Sequence, residues 1–215
     1  YNNRAYVIGG LDKQVGIECQ VYTSENNSWL FEFPSLPKGR FNSVCFVYRD
    51  SLYVFGGTDN SSNMNEIVRY DLSTQNSGEW TTIAKVNEAN QRGGVAFVVE
   101  DKVYAGLGEK SNGIRNGFYV SSDSLTKWEL IPSIPAQLGV ISSGVYDEQK
   151  KSFFMIDNDG KIWEYNLTTE QWTSRSLWIR MKNYHMFMLD GSIYILGQDI
   201  YQKNKFTVYN PIWDN

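Results

Sequence analysis

A hexapeptide with an aromatic residue in its second position recurs five times along the 215 residues. The copies are AYVIGG at 5–10, LYVFGG at 52–57, VYAGLG at 103–108, SFFMID at 152–157 and IYILGQ at 193–198. Their aromatic residues, 47, 51, 49 and 41 positions apart, are Tyr6, Tyr53, Tyr104, Phe153 and Tyr194. A period of this length predicts one supersecondary unit per repeat, which buries its apolar faces only by stacking against its neighbours.

Each repeat predicts four antiparallel strands. An apolar segment precedes four of the hexapeptides, at 41–47, 93–99, 141–146 and 184–189, and a polar turn of two to four residues joins the two into a hairpin. A tyrosine, a polar turn and a tryptophan follow, at 22–29, 70–80, 119–128 and 165–172. The 14 Tyr, 7 Trp and 18 Gly favour half-buried strands separated by turns.

Stacked four-stranded sheets predict an all-β fold of the β-propeller kind, because radial stacking leaves only short sheet edges exposed. The small residues in the segments 93–99 and 141–146 suit an innermost strand beside a narrow channel. We therefore expect one propeller domain over residues 1–215. Its approximate blades are 1–38, 39–89, 90–138, 139–181 and 182–215, of which the first and last are partial and the other three complete.

The repeats resemble those of a known family. The pairs Gly9-Gly10 and Gly56-Gly57, the later tyrosine and the tryptophan after a polar turn resemble the Kelch repeat of Kelch proteins and of the galactose oxidase central domain. The third copy is similar to that of secreted Bacteroidetes Kelch proteins. The resemblance implies a ring of six or seven blades, with this chain as one part of a longer protein; a five-bladed ring closed from its own ends is the alternative. It also implies a periplasmic, outer-membrane-associated or extracellular location, with the cytoplasm as the alternative.

Charge and composition exclude several classes of function. A net charge of −4 and a pI near 5.1 argue against a nucleic-acid partner. No apolar run reaches the eighteen or so residues that a membrane helix needs. His185 is the single histidine, so we expect no metal site and no cofactor, and the copper site of galactose oxidase, which needs two histidines, does not fit. Cys19 and Cys45 provide no disulfide framework.

The loops on one face of the propeller carry the candidate ligand-binding residues. Connections that follow second strands and connections that precede innermost strands emerge on the same face, and loops held by a rigid scaffold commonly carry function. The candidates are Arg40, Arg92, Arg115, Asp59, Glu66, Glu109, Lys182 and Trp178. We expect Arg40 and Arg92 to recur in the same place of their repeats, so a structural arginine bonded to loop carbonyls is the alternative to ligand capture.

Two further motifs have a structural interpretation beside a functional one. Asp157-Asn158-Asp159-Gly160 offers oxygen ligands that suit calcium, but Asn-Asp-Gly is also a common tight turn. Tryptophans at blade spacing suit sugar stacking, but their recurrence favours packing between blades. They are Trp29, Trp80, Trp128 and Trp172.

Two functions remain after these exclusions. The first is a non-enzymatic module that holds a protein or glycan partner with its loop face, because no catalytic constellation is present and the fold hosts many functions. The alternative is a carbohydrate-active enzyme similar to the Kelch-class sialic-acid mutarotases, with an arginine and a carboxylate lining the channel. No pair of residues is marked out as acid and base, so we predict no catalytic residues.

Overall fold

The computed structural model describes residues 1–74, 77–113, 117–122, 124–132, 134, 141–175, 181–199 and 201–209. Five antiparallel sheets, here named blades I to V, follow one another in chain order. Two short 3-10 helices, Leu72–Thr74 and Asn87–Ala89, also occur. In this described part of the chain, no helix is long and apolar enough to cross a membrane.

The strands of each blade are consecutive in sequence and pair in that order. Blade I contains β1 (Arg4–Ile8), β2 (Cys19–Thr23) and β3 (Ser28–Phe33). Blade II contains β4 (Val44–Tyr48), β5 (Ser51–Phe55), β6 (Glu66–Asp71) and β7 (Thr81–Lys85). Blade III contains β8 (Val95–Val99), β9 (Lys102–Gly106), β10 (Phe118–Ser121) and β11 (Glu129–Leu130). Blade IV contains β12 (Ile141–Asp147), β13 (Ser152–Asp157), β14 (Ile162–Asn166) and β15 (Gln171–Arg175). Blade V contains β16 (Lys182–Leu189), β17 (Ser192–Gln198) and β18 (Asn204–Tyr209).

These sheets confirm the predicted all-β propeller of three four-stranded blades between two three-stranded ones. They do not form the six- or seven-bladed ring that the resemblance implied, because the described residues contain five blades. Each repeat uses between about forty and fifty residues, the usual size of a Kelch unit, so 215 residues provide strands for five.

The apolar core lies between the blades. Four buried clusters each join two neighbouring blades: I with II, II with III, III with IV, and IV with V. Phe153 is at the centre of the cluster between blades III and IV, where its ring lies 4.3 Å from that of Phe97 and 4.9 Å from that of Tyr104. Each sheet is therefore buried on a face only where another blade covers it, as stacked repeats require.

The register of the fourth repeat differs from the sequence alignment by one residue. Tyr104 pairs with Phe97 on the innermost strand of blade III, and the corresponding pair in blade IV is Phe154 with Val145. Phe154, rather than Phe153, is thus the counterpart of Tyr104. Two consecutive phenylalanines fit the aromatic position of the repeat in the sequence, and the strand pairing selects the second.

Candidate functional site

Arg40 and Arg92 do not occupy equivalent positions, so the expectation that they recur in the same place is wrong. A left-handed residue precedes each innermost strand, at Asn42 in blade II (φ 50°) and at Gly93 in blade III (φ 70°). Arg92 directly precedes Gly93, whereas Arg40 lies two residues before Asn42. The counterpart of Arg40 is therefore Gln91, which is also buried. The sequence comparison matched arginine with arginine, although the two residues differ by one position relative to the left-handed residue before the strand.

Arg40 is a structural arginine. Its residue has no exposed surface, its Nη1 donates to the carbonyl of Gly56 at 3.2 Å, and its Nη2 donates to Glu66 Oε2 at 3.3 Å. Burial lowers the pKa of the Arg40 guanidinium, and the carboxylate of Glu66 opposes this effect. Lys85 Nζ lies 3.5 Å from the other oxygen of Glu66. Arg40, paired with Glu66, thus fixes the backbone at Gly56 in blade II and does not present its guanidinium to solvent.

Arg92 is placed differently and remains a candidate for binding. About half of its side chain, 48%, is exposed, and its Nη2 donates to Glu109 Oε1 at 2.9 Å. The backbones of the two residues also bond to each other in both directions, at 3.0 and 2.8 Å. The Arg92–Glu109 pair is therefore oriented by the backbone, while the outer edge of the guanidinium faces solvent.

This ion pair lines two adjoining depressions. The first has a volume of about 330 Å³ and extends from Asn42 and Ser43 in blade II to Ile141 in blade IV. The second has a volume of about 210 Å³ and lies among the loops of blades II and III, where Asn63 Nδ2 donates to the carbonyl of Glu109 at 2.8 Å. Sequence reasoning missed Asn42 and Ser43. Asparagine just before an innermost strand is a usable signal, since it tolerates left-handed backbone.

Asp59 lies on the rim of the same face and is bound by three donors. Lys38 Nζ lies 2.7 Å from its Oδ2, and the backbone N–H groups of Ser61 and Ser62 donate to its Oδ1 at 3.0 Å each. The bond from Lys38, followed by those from the two serines, lowers the pKa of Asp59 to about 2. Asp59 therefore closes its own loop and remains charged at neutral pH.

We expect the Asp59 carboxyl to titrate near pH 2, and Lys38→Met to raise its midpoint towards the ordinary 3.8. Because the folded-state pKa is below the unfolded one, these bonds stabilise the protein above about pH 4, and the contribution is lost as the pH falls towards 2. Carboxyl ¹³C NMR titration measures the midpoint. Asp71, whose pKa is lowered chiefly by Ser73, is the internal control. An Asp59 midpoint unaffected by Lys38→Met would contradict the assignment.

The other predicted residues do not join this cluster. Lys182 is the exposed first residue of β16 in blade V and is the counterpart of Arg92, since each lies five residues before the paired aromatic of its innermost strand. Arg115 and Trp178 lie outside the described residues. Arg92 and Glu109 are thus two of the predicted residues, and the structure places them together beside open depressions.

The turn interpretation of the calcium-like motif fits the structure. Asp157 is buried, its Oδ1 accepts from the backbone N–H of Asp159 and Lys161 at 3.0 Å, and its Oδ2 accepts from Trp163 Nε1 at 3.1 Å. Both of its oxygens therefore have protein donors. Within the described ranges, no group of three or more His, Cys, Asp or Glu residues is arranged to hold a metal ion.

Comparison with known proteins agrees with this architecture. Residues 39–87 match the family model of the Kelch motif. Residues 39–87 thus match a Kelch repeat, and the five blades have the fold of a β-propeller. A solved structure titled "Structure of YjhT" superimposes with a TM-score of 0.77 and 16% sequence identity, over 97% of this chain and 82% of that one. No curated protein matches the sequence significantly. At this identity, the structural similarity concerns the fold alone.

Proposed function

We propose that this propeller is a non-enzymatic binding module that holds a protein or glycan partner at the mouth lined by Arg92 and Glu109. The observation that carries the proposal is the half-exposed guanidinium of Arg92, which borders two open depressions on the loop face. A guanidinium has five N–H donors in a fixed plane, and among the described residues Glu109 takes one of them. The remaining donors suit a carboxylate or the hydroxyl oxygens of a sugar.

The surroundings of Arg92 support a polar partner. Asn42 and Ser43 add amide and hydroxyl groups on one side, and Asn60 and Lys110 line the depression on the other. Several short polar side chains around one oriented charge resemble an adaptable recognition surface more than a site that holds an acid and a base in fixed places. A protein or glycan chain that crosses both depressions would contact all of them.

A carbohydrate-active enzyme of the sialic-acid mutarotase kind is the second candidate. The observation that favours it is the pairing of an arginine with a carboxylate at 2.9 Å beside a depression at the start of the innermost strands. An enzyme of this kind needs to bind a free monosaccharide, whereas a module for polymers or proteins does not. This difference allows one set of measurements to separate the two.

The test combines a glycan array, a protein-capture screen and thermal shift with free monosaccharides. We expect Arg92→Met to weaken binding of a captured glycan or protein at least about tenfold, because it removes a charged hydrogen-bond donor. Arg49→Met is the matched control, since Arg49 forms a half-exposed ion pair with Asp101 at the opposite end of the strands. Equal losses in both variants, or no loss in Arg92→Met, would reject the site. Stabilisation by a free monosaccharide would favour the enzyme.

We also propose a periplasmic, outer-membrane-associated or extracellular location. Its support is the similarity of the third repeat to secreted Kelch proteins of the Bacteroidetes. Cell fractionation with a tagged protein tests it, and recovery in the cytoplasm would contradict it.

A further inference from the structure

The connection after the second strand of each blade is hydrogen-bonded differently in blades III and IV. In blade IV it is the turn 157–161, in which the backbone N–H groups of Asp159 and Lys161 donate to Asp157 Oδ1 at 3.0 Å each. Asp157 is 3% exposed, so a buried carboxylate holds this turn. In blade III the described part of the loop runs from 107 to 113. Its tip is the turn 110–113, in which the N–H of Gly113 donates to the carbonyl of Lys110 at 2.9 Å.

An asparagine precedes one of these N–H groups in each blade. Asn158 precedes Asp159, Asn112 precedes Gly113, and both asparagines are exposed. The N–H after Asn158 is bound to a buried carboxylate, whereas the N–H after Asn112 is bound to a carbonyl of its own turn. Because residues 111–113 are all exposed, releasing that bond costs little free energy.

Gly113 leaves its own backbone nitrogen unhindered. It has a φ of 77°, and no heavy atom lies within 4 Å of the position that a Cβ would occupy. Glycine also has no side chain that could obstruct an attack by its nitrogen. The pair Asn-Gly occurs again at 116–117, but Asn116 lies outside the described residues.

We propose that Asn112 is a site of spontaneous deamidation through a ring formed with the backbone nitrogen of Gly113. That nitrogen attacks the side-chain amide carbon of Asn112, a C–N bond forms, and the amide nitrogen leaves as ammonia with the proton of the Gly113 N–H. Water then opens the five-membered imide. Cleavage of the new C–N bond gives aspartate, and cleavage of the original peptide bond gives isoaspartate. Water is the only co-reactant.

The reaction changes the charge of the loop face beside Arg92. Ser111, the neighbour of Asn112, lines the depression of about 210 Å³ together with Arg92, Glu109 and Lys110. These lining residues have one positive charge in excess, and a carboxylate at position 112 offsets it. Where Arg92 holds a partner as proposed above, the deamidated chain should bind an anionic partner more weakly. This consequence rests on the proposed function, whereas the conversion of Asn112 does not.

Peptide mapping after incubation at neutral pH and physiological temperature tests the conversion. Trypsin releases Asn112 in the peptide 111–115 and Asn158 in the peptide 152–161, and neither peptide contains another asparagine. We expect deamidation of Asn112 to proceed at least about tenfold faster than that of Asn158, because its neighbouring nitrogen is unhindered and is not held by a buried carboxylate. Part of the product should be isoaspartate, which the ring yields and direct hydrolysis of the amide does not.

Two variants separate the contribution of the glycine from that of the turn. Gly113→Ala should slow the reaction of Asn112 at least about tenfold, because its Cβ hinders the attacking nitrogen. Asp159→Gly creates an Asn-Gly pair in blade IV, where the N–H at position 159 can still donate to Asp157, so Asn158 should remain the slower of the two asparagines. Circular dichroism verifies that both variants fold.

An Asn112 that remains intact as long as Asn158 does would overturn the inference. So would a product without isoaspartate, or equal rates of Asn112 and Asn158 in Asp159→Gly, since the turn would then have no influence. These readouts do not involve the partner of Arg92. Failure of the deamidation and failure of the proposed binding function are therefore separate results.

Discussion

Replacing Phe153 with alanine should lower the free energy of unfolding by about 3–5 kcal/mol, the cost expected for emptying a buried aromatic site. Phe153 has no exposed surface, and its ring contacts aromatic residues on both of the blades it joins. Phe97 and Tyr104 are among these neighbours, at 4.3 and 4.9 Å, and Tyr146 lies 5.4 Å away within blade IV. Because several large rings surround the cavity, local collapse can fill only part of it.

Urea unfolding followed by tryptophan fluorescence measures this loss. Phe31→Ala is the matched control, since Phe31 is 69% exposed and its truncation should change stability by no more than about 0.5 kcal/mol. Similar losses in the two variants would show that the junction between blades III and IV contributes no more than a surface position. A shift in midpoint without a change in slope would show that the variant changes stability and not the compactness of the unfolded state.

Replacing Gly56 with alanine should cost about 2–5 kcal/mol, the sum of about 1–2 for left-handed backbone and about 1–3 for crowding. Gly56 has a φ of 63°, and a Cβ there would lie 2.4 Å from the carbonyl oxygen of Ala89 and 2.7 Å from that of Gln91. Both contacts are backbone atoms, which a side-chain rotation cannot move away. The turn also accepts the hydrogen bond of Arg40, so any displacement weakens a buried charged contact.

Gly93→Ala separates the two costs. Gly93 has a similar φ of 70°, but no atom lies within 4 Å of the Cβ that alanine would add. We expect this control to lose only about 1–2 kcal/mol, the cost of the left-handed backbone. Chemical denaturation of both variants gives the comparison. Equal losses would show that the close approach of blade II to the 89–91 segment is not a tight contact.

Much of the fold could be predicted from the sequence. The hairpins of blades II to V follow from apolar alternation and short turns, which are local properties of each segment. Trp80 and Trp172 pack between blades, as predicted from their spacing, and each indole donates to a carbonyl of the neighbouring blade. A residue that recurs once per repeat occupies an equivalent position in each blade, which is why the sequence sufficed for this prediction. Trp29 is the exception: it also follows a tyrosine and a polar turn, but it is 46% exposed, whereas the indole of Trp80 donates to the carbonyl of Pro34 in blade I.

The candidate site was predicted only in part. The sequence assigned Arg92 and Glu109 to one loop face, and the structure places the two side chains together there. It also ranked Arg40 with Arg92, although one is buried beside Glu66 and the other is half exposed. The two arginines differ by one position in the repeat, and for this reason Arg40 is buried and structural whereas Arg92 faces solvent.

The sequence alone determined the repeat, the antiparallel strands and their turns, since each depends on residues close together in the chain. Tertiary structure alone decided which arginine is buried and that Phe154 takes the place of Tyr104. The physical reason is that burial and register depend on neighbours some fifty residues away, and the pattern of a single repeat carries no information about which side of it is covered.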